Sequence, residues 1–325
     1  MTSLHPRSPP REPFTAPAAG RTRPSTVARE LVVLGTSAQT PTATRNQSSY
    51  VLRWKDELVV IDPGENTQQL MMQAGVHVGR VDRVLITHFH GDHCLGLPGL
   101  LQRRRLSGRP SRVTLHYGDW GDEHVDRLLG GSAIDFDLGI DRFPHRSGET
   151  LRLPHFDLTG LALDHTVPAM GWRIEEPPRR HLVPDLLAEV GVEGADAGQL
   201  RRDGEVDVAA GTVRLADVSE MRRGRSFAFV MDTRPCANAE ILARDVDLLV
   251  CEATYLDAES DRAAANGHMT ASQAATLARR AGARRLVLSH FSERYDDLAG
   301  FRAEAGAVFD DVVVPDDFTH VALPN

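Results

Sequence analysis

Lysine is almost missing from this sequence: Lys55 is the only one among 37 basic residues in a chain of 325. Every other positive charge is arginine, a bias that a GC-rich genome produces without functional demand, although a planar guanidinium does suit phosphate. Acidic residues outnumber basic ones, 45 to 37, so the net charge is −8 and no basic field surrounds the chain as a whole. Only a local basic patch would serve a nucleic acid. Cysteine is also scarce. Cys94, Cys236 and Cys251 are an odd number at wide spacing, which speaks against a disulfide framework and for a reducing, cytoplasmic setting. No apolar run reaches the roughly 18 residues that a transmembrane helix needs, so no membrane partner is expected. The first thirty residues lack an apolar h-region, which argues against a secretory signal. They hold Pro6, Pro9, Pro10, Pro13, Pro17 and Pro24 among arginines, predicting a disordered leader over 1–27.

What remains, 28–325, is long enough to bury a large core without staples. With 41% hydrophobic and 25% charged residues and a mean hydropathy of −0.28, it has globular composition. Apolar runs bounded by turn residues predict strands at 49–54, 57–61, 82–87, 112–117, 157–164, 226–231, 247–252 and 285–290, after a first near 31–35. Helical spacing appears at about 65–75, 94–106, 238–245 and 270–282. The stretch 173–225 has little periodicity. Strands alternating with helices at both ends of the chain point to helices packed outside sheets.

The strongest chemical signal is Thr87-His88-Phe89-His90-Gly91-Asp92-His93, directly after an apolar strand. In extended backbone, residues i and i+2 project to one side, so His88 and His90 can grip one metal. Gly91 permits a tight turn, after which Asp92 and His93 face a second position. Imidazole and carboxylate at about 2.0–2.2 Å suit zinc. Three further strand ends offer ligand types: Asp164-His165, Asp232-Thr233 and Ser289-His290. A lone histidine after a strand is more often structural than a ligand; it is the repetition that makes these candidates. Ligands at neighbouring strand ends open on one sheet edge.

These residues resemble the metallo-β-lactamase fold, and more closely the ribonuclease Z family of tRNA 3′-end processing endonucleases. The likeness is carried by His88-x-His90-x-Asp92-His93 with His165, Asp232 and His290, by Pro41-Thr42-Ala43-Thr44-Arg45-Asn46, by Asp62-Pro63-Gly64, by Asp232-Thr233-Arg234-Pro235, by Cys251-Glu252-Ala253-Thr254 and by His268-Met269-Thr270. It spans about 30–325. What it implies is a four-layer αββα sandwich (α/β, α+β) that takes two zinc ions per chain, with manganese as the other option. His88, His90 and His165 would hold one ion, Asp92, His93 and His290 the other, and Asp232 would bridge them. The implied reaction removes the 3′ trailer from precursor tRNA, leaving a 3′-OH on the tRNA and a 5′-phosphate on the trailer. Asp92 would orient and deprotonate the attacking water; His268, held by Glu252, would protonate the departing 3′-oxygen. For His268 a capping or packing role is the plain alternative, and for Glu252 that of a buried structural carboxylate.

The resemblance further implies a homodimer and an RNA-gripping exosite arm over 173–225. That stretch carries Arg173, Arg179, Arg180, Arg201, Arg202, Arg214, Arg222, Arg223 and Arg225 for phosphates far from the cut. Arg45 and Asn46 would meet the RNA near its 3′ end. Arg103-Arg104-Arg105 reads either as a further RNA contact or as a solvated helix face. Four positions depart from the family pattern: Ala195-Asp196-Ala197-Gly198 replaces a Gly-Pro-rich arm tip, Cys251 a histidine, Asn66 a glycine and Ala43 a lysine. None removes a metal ligand. The competing readings are a same-fold hydrolase of small phosphodiesters or sulfate esters, for which the arm would be superfluous, and a non-catalytic tRNA-binding protein, which would not need seven ligands.

Overall fold

A computed structural model describes residues 29–108, 111–134, 136–209 and 211–324. The expected leader, 1–27, lies outside them. The chain opens with β1 (Arg29–Gly35), β2 (Ser49–Trp54) and β3 (Glu57–Ile61), an antiparallel run. Side chains alternate along it, yet both faces are apolar. Leu31 and Val33 point to one side, Val32 and Leu34 to the other, and all four are fully buried. A sheet covered on both faces demands that pattern. Helix α1 (Thr67–Gln73), β4 (Arg83–Leu85), α2 (Gly91–Cys94), α3 (Leu97–Leu106), β5 (Val113–Gly118), α4 (Asp122–Leu129) and β6 (Ile140–His145) follow, adding parallel strands to β3.

The second sheet starts with β7 (Thr150–Arg152), β8 (Asp157–Leu163) and β9 (Ala169–Glu175). An inserted arm then holds β10 (Arg179–Leu182), α5 (Pro184–Glu189), α6 (Gly194–Asp203), β11 (Glu205–Val208), β12 (Gly211–Arg214) and β13 (Ser219–Arg222). The sheet resumes with β14 (Ser226–Val230), α7 (Ala237–Ala243), β15 (Leu248–Glu252), α8 (Ser260–Asn266), α9 (Ala271–Ala281), β16 (Leu286–Ser289), α10 (Ala299–Gly306) and β17 (Val312–Val313). Finally β18 (His320–Ala322) returns to pair with β1. The spatial orders are β18-β1-β2-β3-β4-β5-β6 and β7-β8-β9-β14-β15-β16-β17.

Four layers result. Leu31, Tyr50, Trp54, Phe156, Trp172 and Phe227 fill the space between the sheets. The outer face of the first sheet packs on α1, α3 and α4 through Leu70, Leu100 and Val125. That of the second packs on α7, α9 and α10 through Leu242, Ala278 and Phe301. This is the expected αββα sandwich.

Several local features correct the reading from sequence. The helix predicted over 94–106 is broken between Cys94 and Leu97. Gly96 lies there against the Asp62–Gly64 loop, where an added Cβ would stand 2.0 Å from Gly64 O. Asn66 adopts a left-handed backbone, φ 66°, a conformation that glycine takes freely and asparagine tolerates. Arg104 is not on a solvated face: it is 1% exposed and donates to Val81 O at 2.6 Å. The described residues of 173–225 form short elements around their own small core of Val192, Leu200, Val206, Val213 and Val218. Residues 173–175 belong to β9, and Ala195–Gly198 lie within α6.

Candidate active site

Five strand ends meet at one edge of the sandwich. Past β3 stands Asp62, past β4 His88, past β8 His165, past β14 Asp232 and past β16 His290. Asp62, Asp232 and His290 all have left-handed backbones, at φ 47°, 47° and 65°. Such kinks are unfavourable for non-glycine residues and recur where a side chain must be aimed.

All seven residues expected as ligands converge. Around Asp232 Oδ2 lie His88 Nε2 at 3.6 Å and His165 Nε2 at 3.7 Å, with His90 Nδ1 3.0 Å from His88 Nε2. Around Asp232 Oδ1 lie His93 Nε2 at 3.4 Å and His290 Nε2 at 3.3 Å, with Asp92 Oδ2 3.1 Å from His93 Nε2. Asp232 thus faces one group with each oxygen. Its Oδ1 is buried without a hydrogen bond, a costly state that a cation would relieve.

The hydrogen bonds behind the cluster fix which nitrogens can bind metal. Thr87 Oγ1 donates to Asp62 Oδ2 at 2.7 Å, so it must accept from His88 Nδ1 at 3.0 Å. In the same way Thr254 Oγ1 donates to Glu252 Oε2 and accepts from His290 Nδ1 at 2.9 Å. Asp62 Oδ2 takes His93 Nδ1 at 2.9 Å, and Gly267 O takes His165 Nδ1 at 2.9 Å. In the neutral ring each Nε2 of these four histidines therefore presents a lone pair inward, with its Nδ1–H partner fixing the orientation that a metal-binding imidazole needs. Lone pairs facing one another at these distances repel unless a cation lies between them. The residues present fit two divalent ions.

Titration points the same way. Burial pushes His88, His90 and His165 below the usual imidazole range, leaving them neutral. Burial opposes but does not prevent the rise of His93, which Asp92, Asp232 and Asp62 hold well above that range. A bound cation would replace its proton. Asp92 and Asp232, although burial would raise them, are driven well below the carboxylate range by His93 and His290 respectively, among other histidines.

Beside this cluster His268 Nδ1 lies 3.0 Å from Glu252 Oε1. Burial would lower His268, but the Glu252 carboxylate outweighs it and the imidazole is raised to about 9. Glu252 is lowered in turn, burial notwithstanding. It also accepts from Thr233 N at 2.5 Å and Met269 N at 3.0 Å, so one buried carboxylate steadies His268, the Asp232 loop and, through Thr254, His290. His268 precedes the Thr270–Gln273 capping box that starts α9. A cleft of about 360 Å3 opens over His90, Asp92, His165, Asp232, His268 and His290.

The RNA candidates divide. Arg179, Arg180, Arg201 and Arg202 are exposed on the arm. Arg45, by contrast, is 8% exposed and donates to Ser292 O at 3.1 Å, while Asn46 Nδ2 donates to Asp317 Oδ2 at 2.8 Å. Both brace the loop at the cleft through these bonds. Arg173 is tied to the carbonyls of Leu242 and Arg244. Reading the sequence assigned no role to Asp62, Thr87, Thr254 or Gly267. Asp62-Pro63-Gly64 was visible as a motif, but only pairing across strands shows what its carboxylate holds.

An αββα sandwich with this histidine–aspartate cluster at one edge defines a hydrolase of the metallo-β-lactamase superfamily. The model of that superfamily matches residues 43–197, and that of the beta-lactamase superfamily domain matches 198–291. The ribonuclease Z of Nocardia farcinica is 46% identical over 91% of this chain and 98% of its own length; that of Streptomyces coelicolor is 44% identical over the same shares. The human short-form tRNase Z structure has a TM-score of 0.66 at 24% identity, covering 91% of this chain and 100% of its own. The chain belongs to the ribonuclease Z family. It is a metal-dependent nuclease.

Proposed function

We propose that this enzyme removes the 3′ trailer from precursor tRNA, leaving a 3′-OH on the tRNA and a 5′-phosphate on the trailer. The observation that carries the reading is Asp232 facing two sets of ligands in the same cleft as the His268–Glu252 pair. Two zinc ions would be held as read from sequence, one by His88, His90 and His165, the other by Asp92, His93 and His290, with Asp232 on both; manganese would satisfy the same donors. Bound there, such a pair supplies the positive charge that acidifies an attacking water and offsets charge on phosphate oxygens. Asp92 orients that water and takes its proton. His268, protonated through Glu252, gives a proton to the departing ribose 3′-oxygen, which is a poor leaving group without one. The dications would draw its pKa back toward neutrality, nearer the optimum for a general acid.

The arm 176–225 grips RNA through Arg179, Arg180, Arg201 and Arg202. A homodimer in the cytoplasm completes the reading. The dimer is supported by exposed Met72, Leu95 and Leu106 around a groove between α1 and α3, apolar surface that a second copy would cover. Incubation with a trailer-bearing precursor tRNA, mapping the cut and its end groups, tests the activity. Cleavage with the stated ends is expected. Hydrolysis of small phosphodiesters with intact precursor tRNA would favour a small-ester hydrolase instead.

A further inference from the structure

The loop that joins β1 to β2, residues 36–48, supplies part of the cleft wall. Gln39 and Thr40 line the cleft together with His90, Asp92 and His268. Both are exposed, as are Pro41, Ala43 and Thr44 at the loop's tip. An exposed tip buries little apolar surface, so its place is set where the two ends of the loop come together. They meet at a neck, where Ser37 N donates to Asn46 O at 2.9 Å and Gln47 Nε2 to Gln39 O at 2.8 Å. The segment after His290 supports this neck: Phe291 N donates to Thr36 O at 2.8 Å, and Ala38 N to Phe291 O at 2.9 Å.

A second hold comes from the far end of the chain. Asp317 Oδ1 accepts from Thr36 N at 2.9 Å and from Thr36 Oγ1 at 2.8 Å. Its Oδ2 accepts from Asn46 N at 2.6 Å and from Asn46 Nδ2 at 2.8 Å. One oxygen thus takes each side of the neck. All four donors are uncharged, and the negative charge of the acceptor is what strengthens these bonds. None of them reaches a metal ligand. The carboxylate stands 281 and 271 positions from its partners, and strand pairing delivers it. Asp317 lies just before β18, in a turn where Phe318 has φ 66° and donates to Val33 O at 2.6 Å. The register of β18 on β1 therefore brings Asp317 to the end of β1, where the loop begins. A left-handed backbone at a bulky residue persists only where its surroundings enforce it.

We infer that Asp317 is a positioning residue for the substrate: by clamping the neck it fixes the 38–44 wall along which the RNA is aligned. The inference rests on the tRNA reading above. A polynucleotide is larger than the cleft of about 360 Å3 and must lie against its rim, whereas a small phosphodiester reaches the ligand cluster without the wall.

The test compares the metal-loaded wild type with D317N, T36V and T36S. An amide has one acceptor oxygen, so in D317N either Thr36 N or Asn46 N faces an NH2 group instead. Amide exchange read by mass spectrometry should quicken over 36–48 and stay unchanged in β14. KM for precursor tRNA should rise roughly tenfold, the equivalent of one charge-assisted hydrogen bond. Its kcat, and hydrolysis of a nitrophenyl phosphodiester, should hold. T36V, which loses one hydroxyl donor, should shift KM the same way by less, and T36S should match the wild type. Unchanged loop exchange or unchanged KM in folded D317N overturns the inference. Equal loss on both substrates with metals retained also overturns it, leaving Asp317 a role in the fold alone. Should D317N fail to fold, T36V against T36S decides, and equal KM values for the two overturn it. If wild type fails to cleave precursor tRNA, the functional reading fails by itself. Retention of tRNA by the same proteins then decides: weaker retention with a quickened loop supports the clamp, and unchanged retention overturns it.

Discussion

Asp232 shows what one residue must satisfy here. It is buried, held at φ 47°, and aims one oxygen at each ligand group, leaving Oδ1 without a hydrogen bond. Strained backbone of this kind costs about 1–3 kcal/mol per residue and persists only when its surroundings enforce it. Thr233 N on Glu252 supplies part of that enforcement. His268 is held by the same carboxylate, and the proposed function gives it a different task, that of general acid. His268→Ala should slow precursor tRNA cleavage by roughly 10²–10⁴-fold, the usual contribution of general acid catalysis. A nitrophenyl phosphodiester, whose phenolate leaves unaided, should be spared. Both rates are to be measured as kcat with metal content verified. Equal slowing with metals retained would leave His268 a packing residue.

At the scale of elements, the arm is a folded unit with a core of five buried apolar residues. It joins the sandwich through two strand-like connections, Glu176 onward and Arg222 back, so its loss need not disturb the strand ends that carry the cluster. Deleting about 180–220 should raise KM for precursor tRNA strongly and leave small phosphodiester hydrolysis largely intact, because remote contacts bind substrate without touching the reacting atoms. Equal loss on both would assign the arm a folding role. Leu200, fully buried at its centre, explains why a segment of weak periodicity is nonetheless ordered. Its elements are short, and tertiary burial replaces the repeating apolar stripe of a long helix.

For the molecule as a whole, metal and fold are coupled because the ligands come from both sheets. Asp92 and His93 follow β4 of the first sheet, and Asp232 and His290 end strands of the second. Two ions per chain are expected from elemental analysis of fully loaded protein. Asp232→Ala should lose both, and His165→Ala mainly one. One ion or fewer in the loaded wild type would sink the two-ion reading. Among the described residues no helix is long and apolar enough to cross a membrane.

The sequence by itself determined the long buried strands, because a sheet covered on both faces needs unbroken apolar runs such as Leu31–Leu34 and Phe227–Val230. It also determined the ligand types, because histidine and aspartate after strand ends are chemistry written in residue identity. Short elements such as β7 and β18 left too little apolar signal to be read. Tertiary structure alone decided that Asp62 braces His93 across 31 positions, that Arg45 is buried against Ser292, and that three arginines share Asp247. Those outcomes depend on which strand lies beside which, and no local pattern encodes a neighbour brought in from another part of the chain.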